Sequence, residues 1–230
     1  MTDATRPHPP DGAVTATVHL LRHGEVENPE GVLYGRLPGY HLSDLGTRMA
    51  QRVAEHLRAG DHDVAHLVSS PLERAQETAA PTARAYDLPV HTDARLIEAG
   101  NHFQGLTFGV GDGALHHPRH WWHLRNPLRP SWGEAYDVIA LRMLAVAAEA
   151  AAAVPGREAV LVSHQLPVWT ARRRVEGRPL WHDPRRRECA LASLTTLEYA
   201  LDGPQPRVVG VTYTEPAADL LPQASTVSGA

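Results

Sequence analysis

The sequence predicts an α/β fold, a three-layer sandwich in which a mostly parallel central sheet carries helices on both faces. Two observations predict it. Short apolar runs rich in β-branched residues alternate along the chain with helical patterns long enough to cross over between parallel strands. In addition, a chain of 230 residues with 43% hydrophobic residues is long enough to bury one sizeable core.

Five apolar runs have the length and composition of buried strands. They cover residues 14–21, 64–69, 159–163, 191–199 and 207–213. In an open α/β sheet, ligands bind beyond the carboxyl ends of the strands, so the residues that follow these runs are candidates for a functional site.

The clearest helix follows the first strand. Ser43 is a good N-cap, Asp44 suits the first turn, and Gly60 can end the helix. Its apolar residues recur every four positions, at Leu45, Met49, Val53 and Leu57. Further helices are predicted over residues 71–86, 134–153 and 167–176.

The two ends of the chain are rich in proline and in small or polar residues, which is typical of tails. We therefore expect a flexible N-terminal tail over 1–12, a single domain over 13–215 and a C-terminal tail over 216–230. Within the domain, we expect the segment of about 106–133 to form a cap or specificity insert.

Composition narrows the function classes. The net charge of −4 opposes general attraction to nucleic acid or to a membrane surface, so a small molecule is the expected partner. The single cysteine excludes an intramolecular disulfide, and the absence of a signal peptide or a long apolar run predicts a cytoplasmic protein. All 22 basic residues are arginine, which excludes Schiff-base chemistry and a P-loop lysine. A homodimer is compatible with the sequence.

Charged side chains follow three of the predicted strands. Arg22 and His23 end the first strand, Arg74 lies one turn into the helix after the second, and His164 follows the predicted strand at 159–163. These ends meet at one edge of a parallel sheet and would form a positive pocket in a negatively charged protein. The planar guanidinium of arginine suits phosphate or carboxylate, so an anion is the expected ligand.

The same sequence evidence allows other, simpler interpretations of these histidines, of Ser163 and of the arginine runs. A lone histidine at a strand end is commonly solvated or packed in the core. Ser163 and His164 do not indicate a serine hydrolase, because there is no Gly-x-Ser-x-Gly elbow and adjacent strand residues face opposite sides. The runs 172–174 and 185–187 are basic patches that favour a solvated face or an intramolecular anchor over nucleic-acid binding.

Two groups of histidines raise the question of a metal, and we expect none. The first comprises His116, His117, His120 and His123, and the second combines His62 and His66 with Asp61 and Asp63. The first group lacks an accompanying cysteine or carboxylate, and the second lies in a loop leading into a strand. No cofactor is expected either.

Five segments carry a family likeness. They are "LLRHGE" at 20–25, "SSPLERAQET" at 69–78, "LIEAGNHFQG" at 96–105, "SWGEAY" at 131–136 and "VLVSHQ" at 160–165. In this order they resemble the motifs of the histidine phosphatase superfamily, which includes cofactor-dependent phosphoglycerate mutases. The likeness runs from about 17 to 170 and implies a phosphoglycerate mutase-like fold.

The resemblance implies a metal-independent phosphohistidine mechanism. His23 would take the phosphoryl group, and Arg22, Arg74 and His164 would bind its oxygens. Glu98 would be the general acid for the leaving oxygen. This assignment suits the chemistry, since phosphoryl transfer needs positioning and charge compensation, and a departing alkoxide needs a proton.

The resemblance also separates a phosphatase from a mutase. Mutases commonly continue from the glutamate with an "ERHYG"-like run, whereas this chain reads "EAGNHFQG", so we expect a phosphatase that acts on a small phosphoester. A mutase and a non-catalytic phospho-ligand binder remain the alternatives. Gln165 and Gln104 depart from the residues common in relatives, Gly and Glu, without removing an essential group.

The rest of the substrate is expected to contact the loop after the first strand and the insert. The candidate substrate-binding residues are Asn28, Tyr34, Arg36 and Gln165, with Tyr40 nearby in the same loop as Tyr34. The segment 116–136 is rich in Trp, His and Arg, which stack on rings or hold a second anion. It is expected to shape specificity.

Overall fold

The structure, a computed structural model, describes residues 14–106 and 133–221. The predicted tail 1–12, nearly all of the predicted insert and residues 222–230 lie outside the described residues. The strands are β1 (Thr15–Arg22), β2 (Val64–Ser69), β3 (His91–Thr92), β4 (Glu158–Ser163), β5 (Leu194–Ala200) and β6 (Arg207–Thr214). The α-helices are α1 (Asp44–Ala59), α2 (Glu73–Tyr86), α3 (Tyr136–Ala153) and α4 (Gln165–Val175).

The six strands form one sheet in the order β3-β2-β4-β1-β5-β6. β3, β2, β4 and β1 run parallel, while β5 pairs antiparallel with both β1 and β6. The parallel part is therefore the part whose carboxyl ends meet at one edge. The predicted mostly parallel sheet is confirmed, and the two-residue strand β3 is an element that the sequence patterns did not indicate.

Both faces of the sheet are covered, as the three-layer prediction requires. On β1, Val18 and Leu20 pack into a core cluster with Met143 of α3 and Val168 of α4. Leu21 packs on the other face, in a cluster that contains the predicted apolar stripe of α1 together with Ala75 and Ala79 of α2. The two clusters bury the central strands, which explains why those strands read as continuous apolar runs.

The caps of α1 are those the sequence predicts. The Ser43 side chain accepts a hydrogen bond from the backbone N–H of Gly46 at 2.9 Å, and Gly60 is the C-cap. At α4, by contrast, the predicted start at 167 is wrong: the helix begins at Gln165, directly after His164. Pro167 is tolerated because it lies in the first turn, where backbone N–H groups have no helical partner.

The predicted C-terminal boundary at 215 also falls too early. Ala217 is buried against the cluster on the α1 and α2 face, with Leu220 and Leu221 packed partly against it. Arg52 of α1 donates to Asp219 at 2.9 Å. The packed part of the chain thus continues through at least Leu221, because this apolar stretch covers the end of the sheet. Of the helices described, none is both long and apolar enough to cross a membrane.

Candidate active site

The site is formed where β1, β2 and β4 end. Arg22 and Ser163 are partners in the register of the parallel pair β1 and β4, and the backbone N–H of His23 donates to the carbonyl of Ser163 at 3.1 Å. The next residues on the two strands are His23 and His164, whose ring centroids lie 5.1 Å apart. Together with Arg22 and Arg74 they line what we call the strand-end pocket, and all four side chains are buried.

His23 has a defined tautomer. Its Nδ1 lies 2.8 Å from the carbonyl oxygen of Gly24, and a carbonyl only accepts, so Nδ1 carries the proton. Nε2 then holds a lone pair, and this buried atom has no protein partner. Burial, followed by the positive charges of Arg74 and Arg22, lowers the pKa of His23 well below its ordinary value. The imidazole is therefore a neutral nucleophile at pH 7.

His164 is held from its other ring nitrogen. Its Nε2 lies 2.8 Å from the hydroxyl oxygen of Ser70, which follows β2, while Nδ1 is buried without a protein partner. Burial is the main cause that lowers the pKa of His164 well below its ordinary value, and His23 and Arg74 add to it. Ser70 was only part of a motif in the sequence, and no spacing indicates that it positions this ring.

The two arginines are anchored by backbone carbonyls. Arg22 donates from Nη1 to the carbonyl of Cys189 at 2.7 Å, and Arg74 donates from Nη2 to the carbonyl of Gly35. The remaining donors of these groups include Arg22 Nε and Arg74 Nε and Nη1, which are buried without a protein partner. The anchors fix both guanidinium groups and leave other N–H donors for a ligand.

Within residues 14–106 and 133–221, five buried polar atoms of the strand-end pocket have no hydrogen-bond partner. They are Arg22 Nε, His23 Nε2, Arg74 Nε, Arg74 Nη1 and His164 Nδ1. Leaving a buried donor unpaired costs about 1–3 kcal/mol, and more for charged groups, so proteins rarely concentrate such atoms without a ligand. Two buried cations and two buried imidazoles at neighbouring strand ends have the charge and the donors that suit an anion with several oxygens.

A carboxyl group lies beside the cations. Glu98 follows the short helical turn Ala94–Leu96 and is 7% exposed, and its Oε1 accepts from the backbone N–H of Ala99 at 2.7 Å. Burial raises the pKa of Glu98, although the Ala99 N–H and the charges of Arg74, Arg187 and Arg22 oppose this shift. The group thus holds a proton more readily than an exposed glutamate does.

Comparison with known proteins agrees with this geometry. Residues 18–212 match the family described as the histidine phosphatase superfamily (branch 1). The chain belongs to the histidine phosphatase superfamily. It is 56% identical over 201 residues to the protein Rv0525 of Mycobacterium tuberculosis, a match covering 87% of this chain and 96% of that protein.

Two further relatives of this histidine phosphatase carry functional names. The solved structure of mycobacterial glucosyl-3-phosphoglycerate phosphatase Rv2419c has a TM-score of 0.66 and 28% identity, and covers 84% of this chain and 97% of its own. The 2,3-bisphosphoglycerate-dependent phosphoglycerate mutase of Thermoplasma acidophilum is 38% identical over 82 residues, 35% of this chain and 40% of the mutase. The family and the first of these indicate phosphatase activity.

Arg36, a predicted substrate-binding residue, holds the backbone of Glu98. Its Nε donates to the carbonyl of Glu98 at 2.6 Å and its Nη2 donates to Glu134 at 2.8 Å. Glu134 in turn accepts from Arg142 Nε at 2.9 Å. The chain from Arg142 to Glu134 to Arg36 fixes the segment that carries Glu98, so Arg36 is a positioning residue in this histidine phosphatase.

Tyr34, a predicted substrate-binding residue, lies beside His23 and Arg74 of the strand-end pocket. Its ring centroid is 6.5 Å from that of His23, the Arg74 guanidinium lies 4.7 Å from its centroid, and Tyr40 stacks on it at 5.0 Å. The ring covers one side of Arg74 and thereby strengthens the burial of that cation.

The side chain of Asn28, a predicted substrate contact, forms two hydrogen bonds within its own loop. Its amide donates to the carbonyl of Val32 at 2.9 Å, and its Oδ1 accepts from the Val32 N–H at 3.1 Å. Both polar groups of the side chain close its own loop. An Asn at the start of a loop has this ability to mimic a backbone turn, which the sequence alone does not distinguish from ligand binding.

Gln165, a predicted substrate-binding residue, contacts Arg187, whose place near the pocket the sequence did not indicate. Its Oε1 accepts from Arg187 Nη1 at 3.0 Å, while Arg187 Nε donates to His182 Nε2 at 2.9 Å. Arg187 and Glu98 attract one another electrostatically, and burial lowers the pKa of Arg187. The sequence placed Arg187 in a basic patch with Arg185, and nothing in that run distinguishes the one that turns inward.

Proposed function

We propose that this protein is a metal-independent phosphomonoester hydrolase that acts on a small phosphorylated metabolite through a covalent phosphohistidine on His23. The observation that carries the proposal is the set of five buried polar atoms of the strand-end pocket, His23 Nε2 among them, that have no hydrogen-bond partner among the described residues. Phosphate has the charge and the number of oxygens to satisfy such a set, and it presents an electrophilic phosphorus to the lone pair.

In the first step, Nε2 of His23 attacks the phosphorus and the bond to the ester oxygen breaks. The departing alkoxide takes the proton of Glu98, whose raised pKa favours the protonated form needed for this role. Arg22 and Arg74 compensate the negative charge on the equatorial oxygens. With Ser70 donating its hydroxyl proton to Nε2, His164 offers Nδ1–H as a further donor.

In the second step, water attacks the phosphorus of phosphohistidine on the side opposite the imidazole. The P–N bond breaks and returns the lone pair to His23 Nε2, and Glu98, now a carboxylate, accepts the proton from the water. Inorganic phosphate is released. Each step uses groups of this chain alone.

In this mechanism the leaving group lies toward Glu98. Arg187, which interacts electrostatically with Glu98, is a cation that the mechanism does not assign to the phosphate. A second anionic group on the substrate, such as a carboxylate close to the phosphoester, suits this cation. The name of the relative Rv2419c, a glucosyl-3-phosphoglycerate phosphatase, supports a substrate of that class.

A mutase is the second candidate, favoured by the partial match to the Thermoplasma acidophilum phosphoglycerate mutase. It would pass the phosphoryl group from His23 to a bound phosphorylated acceptor instead of water. A non-catalytic phospho-ligand binder would have no use for the raised pKa of Glu98, so it ranks third.

The deciding experiment measures phosphate release from phosphoglycerates, phosphoserine, sugar phosphates, nucleotides and an aryl phosphate, with the His23→Ala protein as background. Turnover in the wild type that falls at least about a thousandfold in His23→Ala supports the proposal. Brief reaction followed by alkaline quenching is expected to trap phosphate on a histidine, since phosphohistidine survives alkali and not acid.

Four outcomes would count against the proposal. Equal turnover in His23→Ala rules out the covalent step. Isomerisation that depends on a bisphosphorylated primer, without net phosphate release, assigns a mutase. Phosphate binding without turnover of any compound assigns a binder. Full activity after treatment with a chelator is expected, and loss of activity would contradict the metal-independent mechanism.

A further inference from the structure

A second cluster of titratable side chains lies away from the strand-end pocket. It consists of His19 on β1, His62 in the connection between α1 and β2, and Glu158 at the start of β4, called the basal cluster here. His19 Nε2 lies 2.7 Å and His62 Nδ1 lies 2.8 Å from the same oxygen, Oε2 of Glu158. The three candidate ligand atoms are all within 4.8 Å of one another.

We propose that the basal cluster binds a zinc ion. Two imidazole nitrogens and one carboxylate oxygen form a donor set that zinc accepts, with the remaining position left for water. In the metal-free protein the two ring nitrogens aim at one carboxylate oxygen, and a zinc ion bound there would take the place of the protons between them. Distances of about 2.0–2.2 Å from zinc to each ligand atom need only small movements of the three side chains.

The ring of His19 is already oriented for this purpose. Its other nitrogen, Nδ1, lies 2.8 Å from the hydroxyl oxygen of Thr196 on β5. When Nε2 binds zinc, the proton of the neutral ring is on Nδ1, where Thr196 Oγ1 accepts it. A hydrogen bond of this kind from the second nitrogen is the usual partner of a metal-binding histidine.

Burial and charge suit an accessible site. The His19 side chain is 3% exposed, whereas those of Glu158 and His62 are 21% and 30% exposed, so zinc has an entry path from one side. The neighbouring cation Arg157 is engaged by Asp63 at 2.7 Å, which limits its repulsion of a metal.

The sequence did not indicate this cluster, because the residues near His62 in sequence are Asp61, Asp63 and His66, whereas its partners lie on two distant strands. The sheet register brings the distant residues together, since Glu158 is the partner of Thr17, two residues before His19 on the neighbouring strand β1. His19 and His23 are four residues apart, about 13 Å along an extended strand. Zinc at the basal cluster would therefore tie β1, β4 and the α1–β2 connection together without entering the strand-end pocket.

The chain offers a matched control. The rings of His66 and His91 lie 5.2 Å apart, as close as the 5.2 Å between His19 and His62, but these two histidines do not belong to a metal-compatible group among the described residues. Exposed histidines that bind zinc adventitiously are expected to behave alike at both pairs. Only the basal cluster adds a carboxylate.

The experiment titrates the chelator-treated full chain with zinc, following heat of binding and the midpoint of thermal unfolding. One saturable site and a raised midpoint are expected. Glu158→Gln and His62→Ala should each weaken that site at least about tenfold, Thr196→Val about tenfold, and His66→Ala not at all. Phosphatase activity measured without zinc reports whether each variant is folded. If Glu158→Gln is unstable, His62→Ala provides the test, because His62 lies in a connection outside the sheet.

Cobalt binding provides a spectroscopic test of the same site. Cobalt in place of zinc should give the visible absorption of four-coordinate cobalt in the wild type, and this absorption should disappear in Glu158→Gln. Absence of a saturable site, or a site that is unchanged in both Glu158→Gln and His62→Ala, would overturn the proposal and leave the basal cluster as a hydrogen-bonded ion pair.

Discussion

At the scale of single residues, the two histidines of the strand-end pocket are suited to different tasks, because the protein engages a different ring nitrogen of each. The carbonyl of Gly24 forces the proton of His23 onto Nδ1, which leaves Nε2 as a nucleophile. The hydroxyl of Ser70 pairs with Nε2 of His164, which leaves Nδ1 without a hydrogen-bond partner among the described residues. Burial keeps both rings neutral at pH 7, so neither repels the two arginines.

The role of Glu98 can be tested through the leaving group. Glu98→Gln removes the proton donor, so we expect kcat to fall about a hundredfold or more for alkyl phosphates and far less for an aryl phosphate, whose leaving group needs little protonation. Because the pKa of Glu98 is raised, wild-type alkyl-phosphatase activity should persist above the ordinary pKa of a glutamate and decline as pH rises further. Steady-state kinetics against pH check this prediction.

The Glu98→Gln variant should also lose that decline at high pH, because the group that titrates has gone. Equal loss of activity toward alkyl and aryl phosphates would instead indicate that Glu98 acts only in the structure of the pocket.

Arg187 provides a test of substrate class. Arg187→Gln should raise KM about tenfold or more for substrates with a carboxylate near the phosphoester, since a charge-assisted hydrogen bond contributes about 1.5–3 kcal/mol. KM for an aryl phosphate without a carboxylate should change little. Arg185→Gln is the matched control, because Arg185 lies in the same short run and is exposed. A KM rise of the same size for both substrates would assign Arg187 to phosphate binding or to pocket stability.

At the scale of elements, the position of His23 depends on how closely the loop after β1 approaches α1. A Cβ atom on Gly24 would lie 2.6 Å from the carbonyl oxygen of Gly46, and a Cβ on Gly46 would lie 2.0 Å from that of Glu25. Both neighbours are backbone and cannot rotate away. The N–H of Gly24 also donates to the hydroxyl of Thr78 on α2, which ties the loop to a second helix.

Alanine at either glycine should therefore destabilise the fold. We expect a loss of about 1–3 kcal/mol in the free energy of unfolding, at the upper end for Gly46→Ala, with lower kcat for Gly24→Ala because His23 is displaced. Urea unfolding and phosphatase assays measure the two effects. Gly203→Ala is the control, since its Cβ would lie 3.8 Å from the nearest atom. Equal stability of all three variants would show that the loop adapts.

The elements themselves were largely predictable, because periodicity and caps are local. Ser43 and Gly60 bound α1 as their residue types indicate, and four of the five predicted strands agree closely with the structure. The pocket histidines could be predicted as well, since the carboxyl ends of parallel strands meet at one edge. What could not be predicted depends on contacts distant in sequence, such as Ser70 with His164 and Gln165 with Arg187.

At the scale of the whole molecule, charge is distributed so that the strand-end pocket is positive while the net charge is −4. Arg22, Arg74 and Arg187 are buried or half-buried close to one carboxyl group, and many surface arginines are paired with Asp or Glu. Positive charge is thereby concentrated at the strand-end pocket, which suits a small anionic ligand better than an extended polyanion.

The same arrangement makes stability depend on pH. Burial lowers the pKa values of His23, His56, His66 and His164, and that of His182 to about 4, so the unfolded chain binds more protons than the folded chain below about pH 6.5. The exposed His41 opposes this trend, since its hydrogen bond to Glu77 raises its pKa. Stability should accordingly be full above about pH 6.5 and fall as the solution is acidified toward pH 5.

Urea unfolding at a series of pH values measures how steeply the free energy of unfolding changes with pH. Each fully buried histidine contributes at most about 1.4 kcal/mol per pH unit to this slope. His164→Asn should flatten the slope, because one group that resists protonation is removed. His41→Asn should steepen it, because that histidine stabilises the folded state only when protonated. The opposite signs separate titration from a general loss of stability, which would shift both curves without changing their slopes. A wild-type protein equally stable at pH 5 and pH 7 would contradict the assignment of neutral, buried imidazoles to the strand-end pocket.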